Sequence, residues 1–130
     1  MKPIIYIIDD NIVSEFATKL VLEQINIDCK VISFEEAEQG LNALLYALTS
    51  EEDVPNIVLL DLKMPGIDGW EFLDKLSELY AYADVPPIYM VSNFTSSAVR
   101  KKANEHGFLK GYIERPISKN RIEEILATQD

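Results

Sequence analysis

The sequence is poor in cysteine, histidine and basic side chains, and each shortage excludes something. Its 130 residues include one cysteine, Cys29, so no internal disulfide can form and a reducing compartment is expected. Twelve basic side chains face 22 acidic ones, for a formal net charge of −10. General binding to nucleic acid or to an anionic membrane needs a positive field, so neither is expected. Apolar runs such as Ile4–Ile8 and Ile57–Leu60 fall far short of the roughly 20 residues of a membrane span. No charged-then-apolar leader opens the chain, so a cytoplasmic protein is expected. Internal repeats, low-complexity segments and linkers are also missing.

What is present suits one folded unit. Apolar residues make up 48% of the chain, enough for a core without staples and too many for disorder. A single domain over residues 1–130 is expected at this length. The negative charge is unevenly spread. Residues 1–93 carry 17 acidic and 5 basic side chains, whereas residues 94–130 carry 5 acidic and 7 basic ones.

Short apolar runs alternate with helical patterns. Ile4–Ile8, Cys29–Ile32, Asn56–Leu60, Ile88–Val91 and Tyr112–Ile113 read as strands. Between the first two, Ile12, Val13, Phe16, Ala17, Leu20 and Val21 form a helical stripe. Ser33 and Glu36 have capping-box spacing and predict a helix running to about Leu48. Trp70, Leu73, Leu76 and Leu79 mark a third helix, with Trp70, Phe72, Leu73 and Leu76 as core. Ser96–His106 marks a fourth, stopped by Gly107. Ser118 is placed to cap a last helix bearing Ile122, Ile125 and Leu126. Strands separated by helices imply right-handed crossovers and a parallel sheet covered on both faces.

In such a sheet, ligands gather at the carboxyl ends of the strands. There the chain places Asp9 and Asp10, then Asp61, then Ser92, and Arg115 just past the fifth strand. Three crowded carboxylates repel one another unless one is protonated or a cation intervenes. Oxygen donors without nearby His or Cys favour Mg²⁺ over zinc. A carboxylate beside such an ion can attack phosphorus and form an acyl phosphate, with the cations spreading the transferred charge. A plainer reading also stands: Asp9 and Asp10 cap the first helix, Ser92 is a strand-end hydroxyl, and Arg115 is only a structural partner of Asp61. His106 suits a helix end and has no metal or catalytic part.

Asp9-Asp10, the segment Leu59–Gly69 with its Asp61-Leu62-Lys63-Met64-Pro65-Gly66-Ile67-Asp68-Gly69 core, Met90-Val91-Ser92 and Gly111–Pro116 follow one another at set spacings. Together they resemble the receiver domain of two-component response regulators, over essentially the whole chain, and in particular its stand-alone, chemotaxis-regulator-like members. The resemblance implies a flavodoxin-like doubly wound fold with strand order 2-1-3-4-5. It implies that Asp61 accepts a phosphoryl group from a histidine kinase or histidine phosphotransfer protein. Asp10 and Asp61 would ligate Mg²⁺ through their side chains, Lys63 through its backbone carbonyl and Asp9 through water. Ser92 would move toward the phosphate, Tyr112 would turn inward, and the peptide before Pro116 would be cis. Chemistry would be limited to self-catalysed phosphorylation and dephosphorylation, with output through a downstream protein.

Three positions depart from the commonest family pattern. Arg115 stands where a lysine is usual, and either pairs bidentately with Asp61 in competition with metal or clamps the phosphate. Asn93 replaces a small residue beside Ser92. Lys63 carries an amine able to reach the phosphate. The departures motivate a second expectation, a phosphorylation-independent adaptor with a degenerate site. A Mg²⁺-dependent aspartyl phosphatase fits less well, because those enzymes carry their nucleophile at the first strand. Arg100, Lys101 and Lys102, with Lys110, Lys119 and Arg121, form a basic surface suited to an acidic partner.

Overall fold

Five short strands lie side by side in parallel in the computed structural model, which describes residues 2–25, 28–64, 66–81, 84–92 and 97–127. The elements alternate: β1 (Ile4–Ile8), α1 (Ile12–Gln24), β2 (Lys30–Phe34), α2 (Ala37–Ser50), β3 (Ile57–Asp61), α3 (Gly69–Leu79), β4 (Ile88–Ser92), α4 (Ser97–Glu105), β5 (Leu109–Glu114) and α5 (Lys119–Ala127). The sheet order is β2-β1-β3-β4-β5, as the resemblance implied. Asn93 and Pro65 lie outside the described residues. Among those described, no helix is long and apolar enough to cross a membrane.

The two-residue period of each strand divides the core into two layers. Tyr6, Ile8, Val58, Leu60, Ile88 and Met90 point to one side, where Leu41 and Leu44 of α2 and Phe72, Leu73 and Leu76 of α3 meet them. Ile5, Ile7, Ile57, Leu59, Tyr89 and Val91 point to the other, against Leu22 of α1 and Ile122 and Ile125 of α5. The central strands β3 and β4 are buried along their whole length, which is why they read as continuous apolar runs.

Two local expectations are corrected. Ser33 does not cap α2, because it lies within β2; Glu36 holds the cap position and makes no side-chain cap bond. The α1 stripe does not face the core. Ile12, Val13, Phe16 and Leu20 are 69%, 77%, 66% and 43% exposed, while Thr18 and Leu22 supply the buried face. Periodicity locates an apolar stripe, but the crossover decides which side of the helix meets the sheet. Leu79, at the end of the α3 stripe, is also exposed.

The start of α3 is fixed against the end of β3. Asp68 accepts from the Glu71 N–H, and the Glu71 side chain returns to the Asp68 N–H, completing a capping box. The Gly69 N–H donates to the Leu62 carbonyl at 2.9 Å. A Cβ on Gly69 would lie 2.9 Å from the Asp61 carbonyl oxygen and 3.2 Å from Leu62 Cα. Both are backbone atoms, so relief requires moving the strand end. Gly69→Ala is therefore expected to lower unfolding free energy by about 1–3 kcal/mol, measured by urea denaturation; an unchanged midpoint would show that the strand end yields freely.

Candidate functional site

At the carboxyl edge of the sheet, the ends of β1, β3, β4 and β5 bring their side chains together. Each of Asp9, Asp10 and Asp61 offers a carboxylate oxygen, and these atoms lie within 4.8 Å of one another. Asp9 and Asp61 are buried, whereas Asp10 is exposed and keeps the cluster open to solvent. The helix-cap role goes to Asn11 instead, whose side chain accepts the Ser14 N–H at 3.0 Å. Asp9 supports that turn by accepting the Asn11 N–H at 2.9 Å. Asp10 is left for other work.

Arg115 enters from just beyond β5. One guanidinium nitrogen, Nη2, lies 2.9 Å from Asp9 Oδ2 and 3.1 Å from Asp61 Oδ1. It bridges two carboxylates through a single nitrogen, in place of the expected bidentate pair with Asp61. Its Nε is buried without a hydrogen-bond partner among the described residues. The Arg115 N–H donates to the Ser92 carbonyl at 2.9 Å, and the following peptide bond to Pro116 is cis, as expected. Register pairs Ser92 with Glu114, so this anchor fixes Arg115 relative to the buried Ser92.

Burial pushes the Asp61 carboxyl up to about 6, with the nearby Asp9 charge adding to the rise. The Arg115 guanidinium and the Lys63 backbone N–H work in the opposite direction and do not cancel the desolvation. Lys63 is exposed at the rim. Tyr112 lies on β5 and packs against the layer that holds α3. Its hydroxyl is shielded from solvent and has no hydrogen-bond partner among the described residues. The ring is half-buried on that layer, with its hydroxyl covered.

The donor set fits a hard divalent ion. All three side chains present oxygen, one is accessible, and a single guanidinium leaves the cluster with excess negative charge. Sequence reasoning missed the Asn11 cap, although Asn-x-x-Ser before an apolar helix is a readable start signal. It also missed the Asp68–Glu71 capping box, which has a full spacing signature.

The chain matches the response regulator receiver domain over residues 5–127. It is 31% identical over 113 residues to the cyclic di-GMP phosphodiesterase response regulator RpfG of Xanthomonas campestris pv. campestris (strain 8004), covering 87% of this chain and 28% of that protein. The chain thus spans just over a quarter of that relative's length. With the two-component response regulator ARR17 of Arabidopsis thaliana it shares 28% identity over 129 residues, 91% of this chain and 78% of the relative. A two-component response regulator from Cytophaga hutchinsonii superimposes with a TM-score of 0.88 at 19% identity, covering 98% and 96% of the two chains. The Vibrio cholerae chemotaxis protein CheY4 gives 0.75 at 15% identity, with both chains fully covered. These two structures bear on the fold.

The raised Asp61 carboxyl carries a stability prediction. Its folded value lies above the ordinary 3.8, so the folded state holds the proton more tightly. That contribution is present below about pH 4 and is lost as pH rises through about 6. Asp61→Asn, which carries no charge, is expected to be more stable than the parent by about 1–2 kcal/mol at pH 7 in EDTA. The gain should vanish near pH 3.5. Thermal melts at the two pH values check it, and a pH-independent difference would refute the role of charge burial.

Proposed function

Because the chain belongs to the response regulator receiver family, whose domains act as phosphoacceptor switches in two-component systems, we propose that residues 1–130 are one receiver domain that takes its phosphoryl group on Asp61. The observation that carries this reading is the convergence of Asp9, Asp10, Asp61 and Arg115 at the carboxyl edge of the sheet. Receiver domains obtain phosphate from histidine kinases and bind Mg²⁺ at an acidic cluster. Here Asp10 and Asp61, with the Lys63 backbone carbonyl and a water held by Asp9, would hold the ion. An ion held there would supply positive charge to offset the negative charge on the phosphoryl oxygens.

The chain's own groups do the rest. An Asp61 carboxylate oxygen attacks phosphorus, the bond from phosphorus to the donor histidine nitrogen breaks, and the imidazole keeps the electron pair. The product is an acyl phosphate. At pH 7 Asp61 is mostly ionised, so it can act as nucleophile. In the metal-free site it takes up a proton below about pH 6 and loses that ability, whereas a bound divalent cation would keep it ionised to lower pH. Arg115 must release Asp61 as the phosphoryl group arrives. Its Nε, unpartnered among the described residues, and its Nη2, no longer shared with Asp61, then present two parallel donors, the fork geometry that suits phosphate oxygens. Ser92 supplies a hydroxyl at the end of β4, the neighbouring strand. The exposed apolar residues Ile12, Val13 and Phe16 follow exposed Asp10 on the first turns of α1, and a protein donor covering them would exclude water from the reacting atoms.

Output is expected through a downstream protein. The exposed Arg100, Lys101, Lys110 and Lys119 suit an acidic partner, whereas Arg121 is tied internally, donating to the Tyr112 carbonyl at 3.2 Å. One observation favours the second reading, a phosphorylation-independent adaptor: Arg115 already occupies Asp9 and Asp61 as an internal cation.

Acetyl phosphate with Mg²⁺ separates the two readings. The switch predicts an 80-Da-class phosphate adduct by intact mass, as one phosphoryl group adds roughly that much; it should be absent in Asp61→Asn. No adduct from acetyl phosphate or from a histidine kinase leaves the adaptor. Phe16→Ala should slow transfer from a protein donor by about fivefold or more while leaving acetyl phosphate unaffected. Equal loss with both donors would refute the docking role. Arg100→Glu with Lys101→Glu should weaken partner binding in a salt-dependent way, and unchanged binding would remove that face from the output.

A further inference from the structure

The fourth helix is weakly seated by apolar contact. Along α4, Ala103 is the one buried residue, and Val99 is only partly buried. Yet its last turn meets α3 through a set of ring and charge contacts. Lys102 Nζ lies 4.5 Å from the centre of the Trp70 ring, on the ring face. His106, just past the helix, stacks on the same indole with centroids 6.1 Å apart and planes at 28°. His106 Nδ1 accepts the Phe108 N–H at 3.3 Å, so its proton sits on Nε2, which lies 3.7 Å from Asp74 Oδ1 on α3. Phe108 closes the group edge-on to His106, at 6.4 Å.

Trp70 stands one residue after Gly69. Gly69 bonds to the Leu62 carbonyl and leaves no room for a methyl group against the Asp61 carbonyl. The indole is thus rigidly joined to the acceptor strand on one side and grips α4 on the other. We propose that Trp70 is a positioning residue that fastens the last turn of α4 to α3 and so ties the seat of α4 to the backbone at Asp61. The body of α4 packs on β5, so the ring–cation contact, modest by itself, secures the last turn against α3 and biases how often that turn opens. The tie is mechanical and separate from the Ser92 strand end. Its second half, response to the acceptor, rests on the function proposed above; its first half does not.

Hydrogen exchange on the full chain tests both halves. In the unmodified protein, Trp70→Leu is expected to speed exchange of the α4 amides by about tenfold, and Lys102→Met by two- to fivefold, with β1 and β3 unchanged. Trp70→Phe keeps a ring and should fall between parent and Trp70→Leu, which covers the case in which the leucine variant folds poorly. With acetyl phosphate and Mg²⁺, the parent should change its α4 exchange and the emission of its single tryptophan. Trp70→Leu should reach the same adduct level by intact mass while its α4 exchange stays flat. Unchanged α4 exchange in the unmodified Trp70 and Lys102 variants would overturn the proposal. So would a normal α4 response in phosphorylated Trp70→Leu. If the parent takes no phosphate, the phosphoacceptor reading fails, and the unmodified arm alone decides the clamp.

Discussion

Carboxylate crowding at one edge of a parallel sheet is the constraint around which this molecule is arranged. Parallel strands all end on the same side, so Asp9 and Asp61, on neighbouring strands, are forced together with Asp10. Their repulsion is not relieved by spreading them apart, because Asp61 ends β3 and Asp9 directly follows β1, its paired neighbour in the sheet. It is relieved by Arg115, brought in from a fifth strand and bridging two carboxylates with one nitrogen. Even so, Asp61 holds a proton more strongly than an ordinary aspartate. The site is therefore poised: its internal cation is adequate for folding but leaves charge for another cation to satisfy.

The surrounding elements serve that arrangement. Asn11 takes over helix capping, which spares Asp10. Gly69 lets α3 close on the end of β3. The capping box at Asp68 then fixes the direction in which α3 leaves, and with it the position of Trp70. Each device is local, yet together they make the backbone near Asp61 a point that several helices share.

Much of this was legible in the residues because buried strands and chemical residue types leave short-range marks. Ile4–Ile8 matches β1 to the residue, since a strand buried by both layers shows as an unbroken apolar run. Strands β3 and β4 each extend one residue beyond the apolar run, to Asp61 and Ser92. Polar side chains on the last rungs look like loop residues until pairing is known. Ser33 illustrates the opposite error: cap spacing says nothing about whether the serine is still in a strand. The covered hydroxyl of Tyr112 and the contact from Trp70 to His106 depend on packing between elements far apart in sequence, and no window along the chain contains both partners.

The bare side of α1 gives the surplus of acid a second meaning. A helix that displays Ile12, Val13, Phe16 and Leu20 to water is a standing invitation to self-association. A molecule carrying ten excess negative charges repels its own copies at every approach. Colloidal repulsion of like for like can thus keep an adhesive helix available while the chain waits for a partner of different charge. Raised ionic strength would weaken that protection, and this exposed helix face would become the place where precipitation starts.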